Sequence, residues 1–210
     1  MEGAKAMIQG VIFDYGNVLS ATRDPRPRAA WEHKLGLPAG QLGRMVHNDH
    51  SWVAAQCGRI SVDDYWQGIG KALHLPPDDV AQLRTDFYRG DMRNDALVVR
   101  LDAMRQAGIR LGVLSNFSQE LWTLLEQQDL RHRFDAIAVS ADIGVMKPSP
   151  AAYHAILEML NLPPEACLFI DDLPDNIAAA QALGLHGIMF RDHPLCLAEI
   201  DRRWTGSWLP

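Results

Sequence analysis

Val11-Ile12-Phe13-Asp14-Tyr15-Gly16-Asn17-Val18-Leu19 is the segment from which an α/β architecture is read. Val11 to Phe13 are apolar and favour β-structure, and they run straight into a carboxylate and then a Gly-Asn break. A buried parallel strand reads as a short continuous apolar run. Open α/β sheets hold their ligands at the carboxyl ends of such strands. Asp14 is therefore the first candidate for chemistry. Its plain alternative is an Asp capping a turn after an edge strand.

Upstream, residues 1–9 read as a short polar lead. Downstream, from Ser20 to about Leu83, apolar residues recur at helical spacing. Examples are Trp31, Leu35 and Leu37, then Leu42, Met45 and Val46, then Tyr65, Trp66, Ile69 and Leu73. Turn signals at Pro25-Arg26-Pro27, Gly36 to Gly40, Gly58-Arg59 and Pro76-Pro77 separate these runs. Ser61, with Asp64 three residues on, has the pattern of an N-cap followed by an acidic first turn. This segment predicts an all-helical insertion of about four helices, with no strand able to join a sheet.

After Gly90 strands and helices alternate. Helices are expected over 94–106, 118–127, 150–160, 174–183 and 194–203. Strands are expected over 109–114, 134–140, 166–170 and 187–190. Alternation of this kind implies βαβ units and a mostly parallel sheet with right-handed crossovers. The fold class is α/β: a doubly wound, Rossmann-like, mostly parallel sheet with an inserted helical cap. Residues 1–19 and 91–210 form the core domain, and residues 20–90 the cap.

Composition narrows the partners. The chain has 210 residues, 48% hydrophobic and 22% charged, which is ordinary for a globular protein. Its net charge is -6, and the one basic run, Arg23 to Arg28, is interrupted by Asp24. Nucleic acid is thus not expected as a partner. No apolar run approaches the roughly 20 residues of a membrane span, so no membrane association is expected. Cys57, Cys167 and Cys196 are far apart and form no CxxC pair. That pattern argues for a reducing compartment and against a structural zinc site. Met1 to Ala6 leads into no signal-peptide apolar core. The expectation is a cytoplasmic protein.

The chemistry gathers at the strand ends. Asp14 follows the first strand, and Ser115 and Asn116 the second. Lys147 lies in the loop beyond the third, and Asp171 and Asp172 follow the fourth. A parallel sheet brings all of these to one edge. Crowded carboxylates repel unless a positive charge joins them. Mg²⁺ fits, because it takes one or two carboxylates together with waters and substrate phosphate. Lys147, Ser115 and Asn116 can then hold an anionic group on the opposite side.

Four pieces carry a resemblance: Phe13 to Leu19, Val113-Leu114-Ser115-Asn116, Lys147-Pro148-Ser149-Pro150 and Phe169 to Asn176. Occurring in this order, they make the chain resemble a haloacid dehalogenase-like (HAD) superfamily hydrolase over essentially its whole length. In detail it resembles the subgroup of the α-D-glucose-1-phosphatases and the N-terminal phosphatase domain of soluble epoxide hydrolase. The resemblance implies that Asp14 is the nucleophile, forming an aspartyl-phosphate. It implies that Ser115 and Asn116 bind the phosphoryl group and that Lys147 neutralises charge on nucleophile and substrate. Asp14, Asp172 and the main-chain carbonyl of Gly16 would hold Mg²⁺, with Asp171 and Asn176 as supporting residues. The implied partner is a small phosphorylated substrate.

One position departs from the family pattern. Most phosphatases that this chain resembles carry a second Asp two residues after the nucleophile, as general acid and base; here that residue is Gly16. Losing such an acid costs roughly 10²–10⁴-fold where nothing replaces it. A sugar 1-phosphate has a comparatively good leaving group, which lessens the need.

Other residues have plainer readings. His47 and His50, with Asp49 between, are expected as polar surface rather than metal ligands, with one of them a possible reach from the cap to substrate. Trp52, Tyr65 and Trp66 are expected in the cap core, with Trp52 an option for a specificity wall. Trp204 and Trp208 can anchor the tail or a dimer contact, which leaves monomer and homodimer both open. Two competing functions accompany the phosphatase reading. One is a 2-haloacid dehalogenase, against which the Asp171-Asp172 pair argues. The other is a weakly active phosphate-binding or scaffolding protein, which Gly16 motivates and Asp14, Lys147 and Asp172 oppose.

Overall fold

A computed structural model describes residues 7–47 and 50–205. β1 (Gly10–Phe13) is followed by a short β2 (Ser20–Thr22). Five helices come next: α1 (Arg26–Leu35), α2 (Gln41–His47), α3 (His50–Gln56), α4 (Val62–Ala72) and α5 (Pro77–Arg89). β3 (Asp91–Arg93) and α6 (Asp95–Gln106) return the chain to β4 (Arg110–Ser115) and α7 (Leu121–Gln127). β5 (Ala136–Val139), α8 (Ser140–Ile143) and α9 (Pro150–Leu160) follow. The chain closes with β6 (Cys167–Asp171), α10 (Pro174–Ala182), β7 (His186–Met189) and α11 (Pro194–Trp204).

The main sheet is parallel throughout, in the order β5-β4-β1-β6-β7. β1 is central, and all four of its residues are buried. That burial on both faces explains its unbroken apolar run. Tyr153 and Ile156 of α9 and Ile177 of α10 pack on one face of the sheet with Ile12 and Phe169. Leu97 and Leu101 of α6, Leu121 of α7 and Ile200 of α11 belong to the core on the other face, with Val11, Phe13 and Val113. The chain builds outward through β4 and β5, then crosses back to β6 beside β1. That reversal of strand order opens a crevice at the carboxyl edge, where Asp14 lies.

The helical segment differs from expectation in two ways. It holds five helices rather than about four. It is also entered and left through a strand pair, with Ser20–Thr22 antiparallel to Asp91–Arg93. Three residues with mixed exposure give too short a pattern to read as a strand from the sequence. The predicted cap at Ser61 is present: its hydroxyl accepts from the Asp64 N–H at 3.0 Å. Gly90 has no room for a side chain, since a Cβ there would sit 1.9 Å from the Asp24 carbonyl oxygen. Gly58 combines a left-handed φ of 68° with a Cβ position 2.2 Å from the Ala141 carbonyl oxygen, so the end of α3 lies against α8. Among the described residues no helix is long and apolar enough to cross a membrane. Trp204 ends α11 against the core, while Asp49, Trp208 and residues 1–6 of the polar lead lie outside the described residues.

Candidate active site

Sheet register sets the centre. Phe13 pairs with Ile170, and the Asp14 N–H continues the ladder to the Ile170 carbonyl at 2.8 Å. Asp14 is thus level with Asp171, and level residues on neighbouring strands project to the same face. Two buried carboxylates side by side need a cation, and Lys147 supplies it. Its Nζ lies 2.8 Å from Asp14 Oδ1 and 2.7 Å from Asp171 Oδ2, with the lysine side chain 1% exposed. One ammonium serves two anions here, so negative charge is in excess. Burial raises the Asp14 carboxyl above its ordinary pKa, Lys147 opposes the shift, and the Asp171 charge adds to it.

The loops that present these groups are held by amides. Asn116, just past β4, donates from Nδ2 to the Lys147 carbonyl and accepts the Lys147 N–H on Oδ1, both at 2.8 Å. The expectation for Asn116 is phosphate binding; its side-chain amide also ties down the lysine loop across 31 residues of chain. Asn176 is expected from the resemblance as a supporting residue of the site. It is buried and donates to both oxygens of Asp171, at 3.1 and 3.0 Å. With the Leu173 N–H also on Oδ1 at 2.8 Å, the Asp171 carboxylate is saturated.

Asp14, Asp171 and Asp172 offer ligand oxygens within 4.8 Å of one another. Because Asp171 is saturated, Asp14 and Asp172 are the ones with capacity for a cation. Carboxylate oxygens suit a hard ion such as Mg²⁺. Asp172 is aimed by Asn17, whose Nδ2 lies 3.1 Å from Asp172 Oδ2. Asn17 sits at a φ of 55°, a left-handed position that Asn tolerates better than most residues. The Gly16-Asn17 break is visible in the sequence, but no local pattern there assigns Asn17 a partner. Arg191, past β7, donates to the Asp172 carbonyl at 3.1 Å and carried no sequence signal.

Asp14, Gly16, Ser115, Asn116, Lys147, Asp172 and Asn176 all line one cavity of about 520 Å³ between the sheet edge and the helical segment. Asp171 lies directly beneath them, bonded to Lys147. The helical segment contributes Arg28, His47, Trp52, Gln56 and Tyr88. Gln56 donates to the Asn116 carbonyl at 2.7 Å, and Arg28 makes two 2.9 Å bonds to Asp91. Glu120, buried beyond β4, accepts from Trp66 at 3.0 Å and from Arg84 at 2.6 Å, which ties α4 and α5 to the core. Trp52 lines this cavity, whereas Tyr65 and Trp66 are buried in the hydrophobic core. His50 is exposed at the start of α3 and joins no ligand group among the described residues.

Burial, with Arg28 adding, lowers the pKa of His47 to about 4, so the ring is neutral at pH 7. The sign follows from linkage. Between the unfolded value near 6.5 and about 4 the unfolded chain binds the extra proton, so stability is whole above about pH 6.5 and is lost as pH falls towards 4. We expect His47 to account for about 2 kcal/mol of lost stability at pH 5 relative to pH 7. Urea unfolding of wild type and His47→Gln at both pH values checks this; an identical pH difference in the two proteins rules it out.

The family model described as haloacid dehalogenase-like hydrolase matches residues 8–184. Over 205 residues the chain is 26% identical to drimenol cyclase drtB of Aspergillus calidoustus, covering 95% of this chain and 36% of that protein. The chain thus spans about a third of that relative's length. It is 28% identical over 188 residues to sesquiterpene phosphatase astK of Aspergillus oryzae, covering 88% of this chain and 90% of that protein. Among solved structures, a HAD family enzyme of Bacteroides thetaiotaomicron, in complex with magnesium and inorganic phosphate, has a similar fold. It aligns with a TM-score of 0.74 at 18% identity, covering 88% of this chain and 94% of that one. With the family model spanning most of the sequence and the same fold in the solved structure, this chain belongs to the haloacid dehalogenase-like hydrolase family.

Proposed function

We propose that the protein is a Mg²⁺-dependent phosphatase that hydrolyses a small phosphorylated metabolite through an aspartyl-phosphate on Asp14. The observation that carries this reading is the shared Lys147 ammonium between Asp14 and Asp171, with Asp172 alongside. A relative whose name describes a phosphatase supports the reaction class. Residues 20–90 would act as a cap over a core of residues 1–19 and 91–210. The free cysteines Cys57, Cys167 and Cys196 fit a reducing, cytoplasmic setting.

In this reading Asp14 attacks phosphorus while the bond to the leaving oxygen breaks. Water then attacks the phosphoryl group, releasing inorganic phosphate and restoring Asp14. Lys147 neutralises charge on Asp14 and the transferring group, and the Ser115 hydroxyl donates to a phosphoryl oxygen. Asn116 acts by fixing the Lys147 loop, and Asp171, held by Asn176, orients the ammonium. Asp14, Asp172 and the Gly16 carbonyl would hold Mg²⁺, which when bound offsets the charge of the transferring phosphoryl group. Phosphoryl transfer asks mainly for this positioning and charge stabilisation.

Gly16 leaves the departing oxygen to take its proton from water, which suits substrates with good leaving groups, sugar 1-phosphates among them. A Cβ at Gly16 would meet only Asp14 Oδ2, at 4.0 Å, so an acid can be built there. Gly16→Asp is expected to speed hydrolysis of poor-leaving-group alkyl phosphates by at least tenfold and of acyl phosphates much less. Equal rates for every leaving group would sink the idea.

The decisive test of the proposed function is a panel of phosphorylated metabolites and a chloro-acid, each assayed with Mg²⁺ and with chelator. Metal-dependent phosphate release is expected. Chelator-resistant halide release would overturn the reading in favour of a dehalogenase. Binding of phosphate analogues without any turnover would favour a scaffolding protein.

A further inference from the structure

The cavity wall above the phosphoryl site is aromatic. Tyr15, Phe117, Trp52, His47 and Tyr88 form one connected ring cluster. Trp52 meets Phe117 at 5.2 Å and His47 at 4.9 Å between centroids. Phe117 also meets Tyr15 at 5.9 Å and Tyr88 at 6.0 Å. All five line the cavity that holds Asp14.

The polar groups on the helical side are mostly committed. Arg28 gives Nη2 to Asp91 and Nε to the Phe87 carbonyl at 2.7 Å. Gln56 Nε2 is bonded to Asn116. Among the described residues the ring wall keeps three buried polar atoms without a partner, the Tyr15 and Tyr88 hydroxyls and His47 Nε2. Tyr88 is 8% exposed.

Charge points the same way. Among the described residues, the lysine and arginine side chains of this cavity are Lys147, shared by Asp14 and Asp171, and Arg28, neutralised by Asp91. A second phosphate or a carboxylate on the substrate would face Asp91 or Asp172 with no free counter-charge. A hexose would bring several hydroxyls to a ring wall with only three such atoms, and each buried hydroxyl left unpaired is costly.

We propose that the leaving group is an uncharged alcohol with a flat or unsaturated hydrocarbon body, packed against Trp52 and Phe117. Any further oxygen function it carries is met by Tyr88 Oη or His47 Nε2. This rests on the phosphatase reading and deepens it by naming the substrate class. Aromatic faces suit such a body.

The test is steady-state phosphate release by the full chain with Mg²⁺ on four esters. Acetyl phosphate reports the phosphoryl machinery without filling the cavity. Phenethyl phosphate or geranyl monophosphate fills it with an apolar alcohol, glucose 1-phosphate with a hexose, and fructose 1,6-bisphosphate adds a second charge. The KM for the apolar esters is expected to lie below that for glucose 1-phosphate on the order of 100-fold, with the bisphosphate highest, while the leaving-group demand set by Gly16 acts on kcat. Trp52→Ala should collapse the preference for the apolar ester over acetyl phosphate by about tenfold or more, chiefly through KM. Calorimetry of free phenethyl alcohol, with Mg²⁺ and inorganic phosphate present, should show binding that Trp52→Ala weakens. Turnover of acetyl phosphate with a lower KM for glucose 1-phosphate or the bisphosphate than for the apolar esters overturns this inference alone. No turnover even of acetyl phosphate overturns the phosphatase reading and this inference with it.

Discussion

Asp14→Asn is expected to lose phosphate release on the order of 10⁴-fold or more while keeping its fold, and to be more stable than wild type in the presence of chelator. The activity loss follows from removing the attacking oxygen of a group that acts as a unit with its neighbours. The gain in stability follows from charge. Asp14 and Asp171 share one ammonium, and burial raises the Asp14 carboxyl above its ordinary pKa. A raised carboxylate pKa means that folding disfavours the ionised form. Above the ordinary carboxylate range Asp14 therefore costs stability, by an amount that grows until the pH passes its folded value. Asparagine removes that cost and leaves Lys147 paired with Asp171. A thermal unfolding curve in chelator, with Asp14→Asn melting below wild type, would contradict the charge argument. Undiminished phosphate release would contradict the nucleophile assignment. Active sites that concentrate like charge trade stability for function in this way.

The second large effect belongs to Lys147. Lys147→Met should reduce unfolding stability by about 3–5 kcal/mol, the scale of removing one partner from a buried ionic group. The lysine side chain is 1% exposed and that of Asp171 0%, so no solvent replaces the lost charge. The aliphatic stem survives in methionine, which keeps the volume and isolates the electrostatic part. Mg²⁺ should recover part of the loss, because a divalent ion beside Asp14 and Asp172 offsets the same excess of negative charge. The rise in Tm on adding Mg²⁺ should therefore be larger in Lys147→Met than in wild type. An equal rise would show that the ammonium and the metal site are not electrostatically coupled. Activity should fall with stability, since no ammonium is left to draw Asp14 and the phosphoryl group together.

The two effects have different origins in the chain. Asp14 was legible because a buried β1 must be an apolar run, and the polar residue that ends it stands out. Asp171, which ends β6, and Asp172 just beyond it were legible for the same reason. Lys147 stands in a loop, yet its place before Pro148-Ser149-Pro150 at the opening of α9 marked it. Strands, helices and their order in the core follow from patterns local to the chain, with boundaries shifted by a few residues. β2 and β3 escaped because three-residue strands carry no periodicity.

What each polar group bonds to was a different matter. Asn116 and Asn176 were both marked, but their partners are Lys147 and Asp171, set by how two loops stack at the sheet edge. Asn17 reaches Asp172 across 155 positions of sequence because β1 and β6 are neighbours in the sheet. The aromatic wall of Trp52, Phe117, Tyr15, His47 and Tyr88 assembles from α2, α3, α5 and two loops of the core. The sequence by itself determined the parallel core and the acidic and basic residues at its carboxyl edge, because burial and periodicity act over neighbouring residues. Only the tertiary structure decided which carboxylate is saturated, which is free for a cation, and what covers the site. Those depend on contacts between segments whose approach no local pattern encodes.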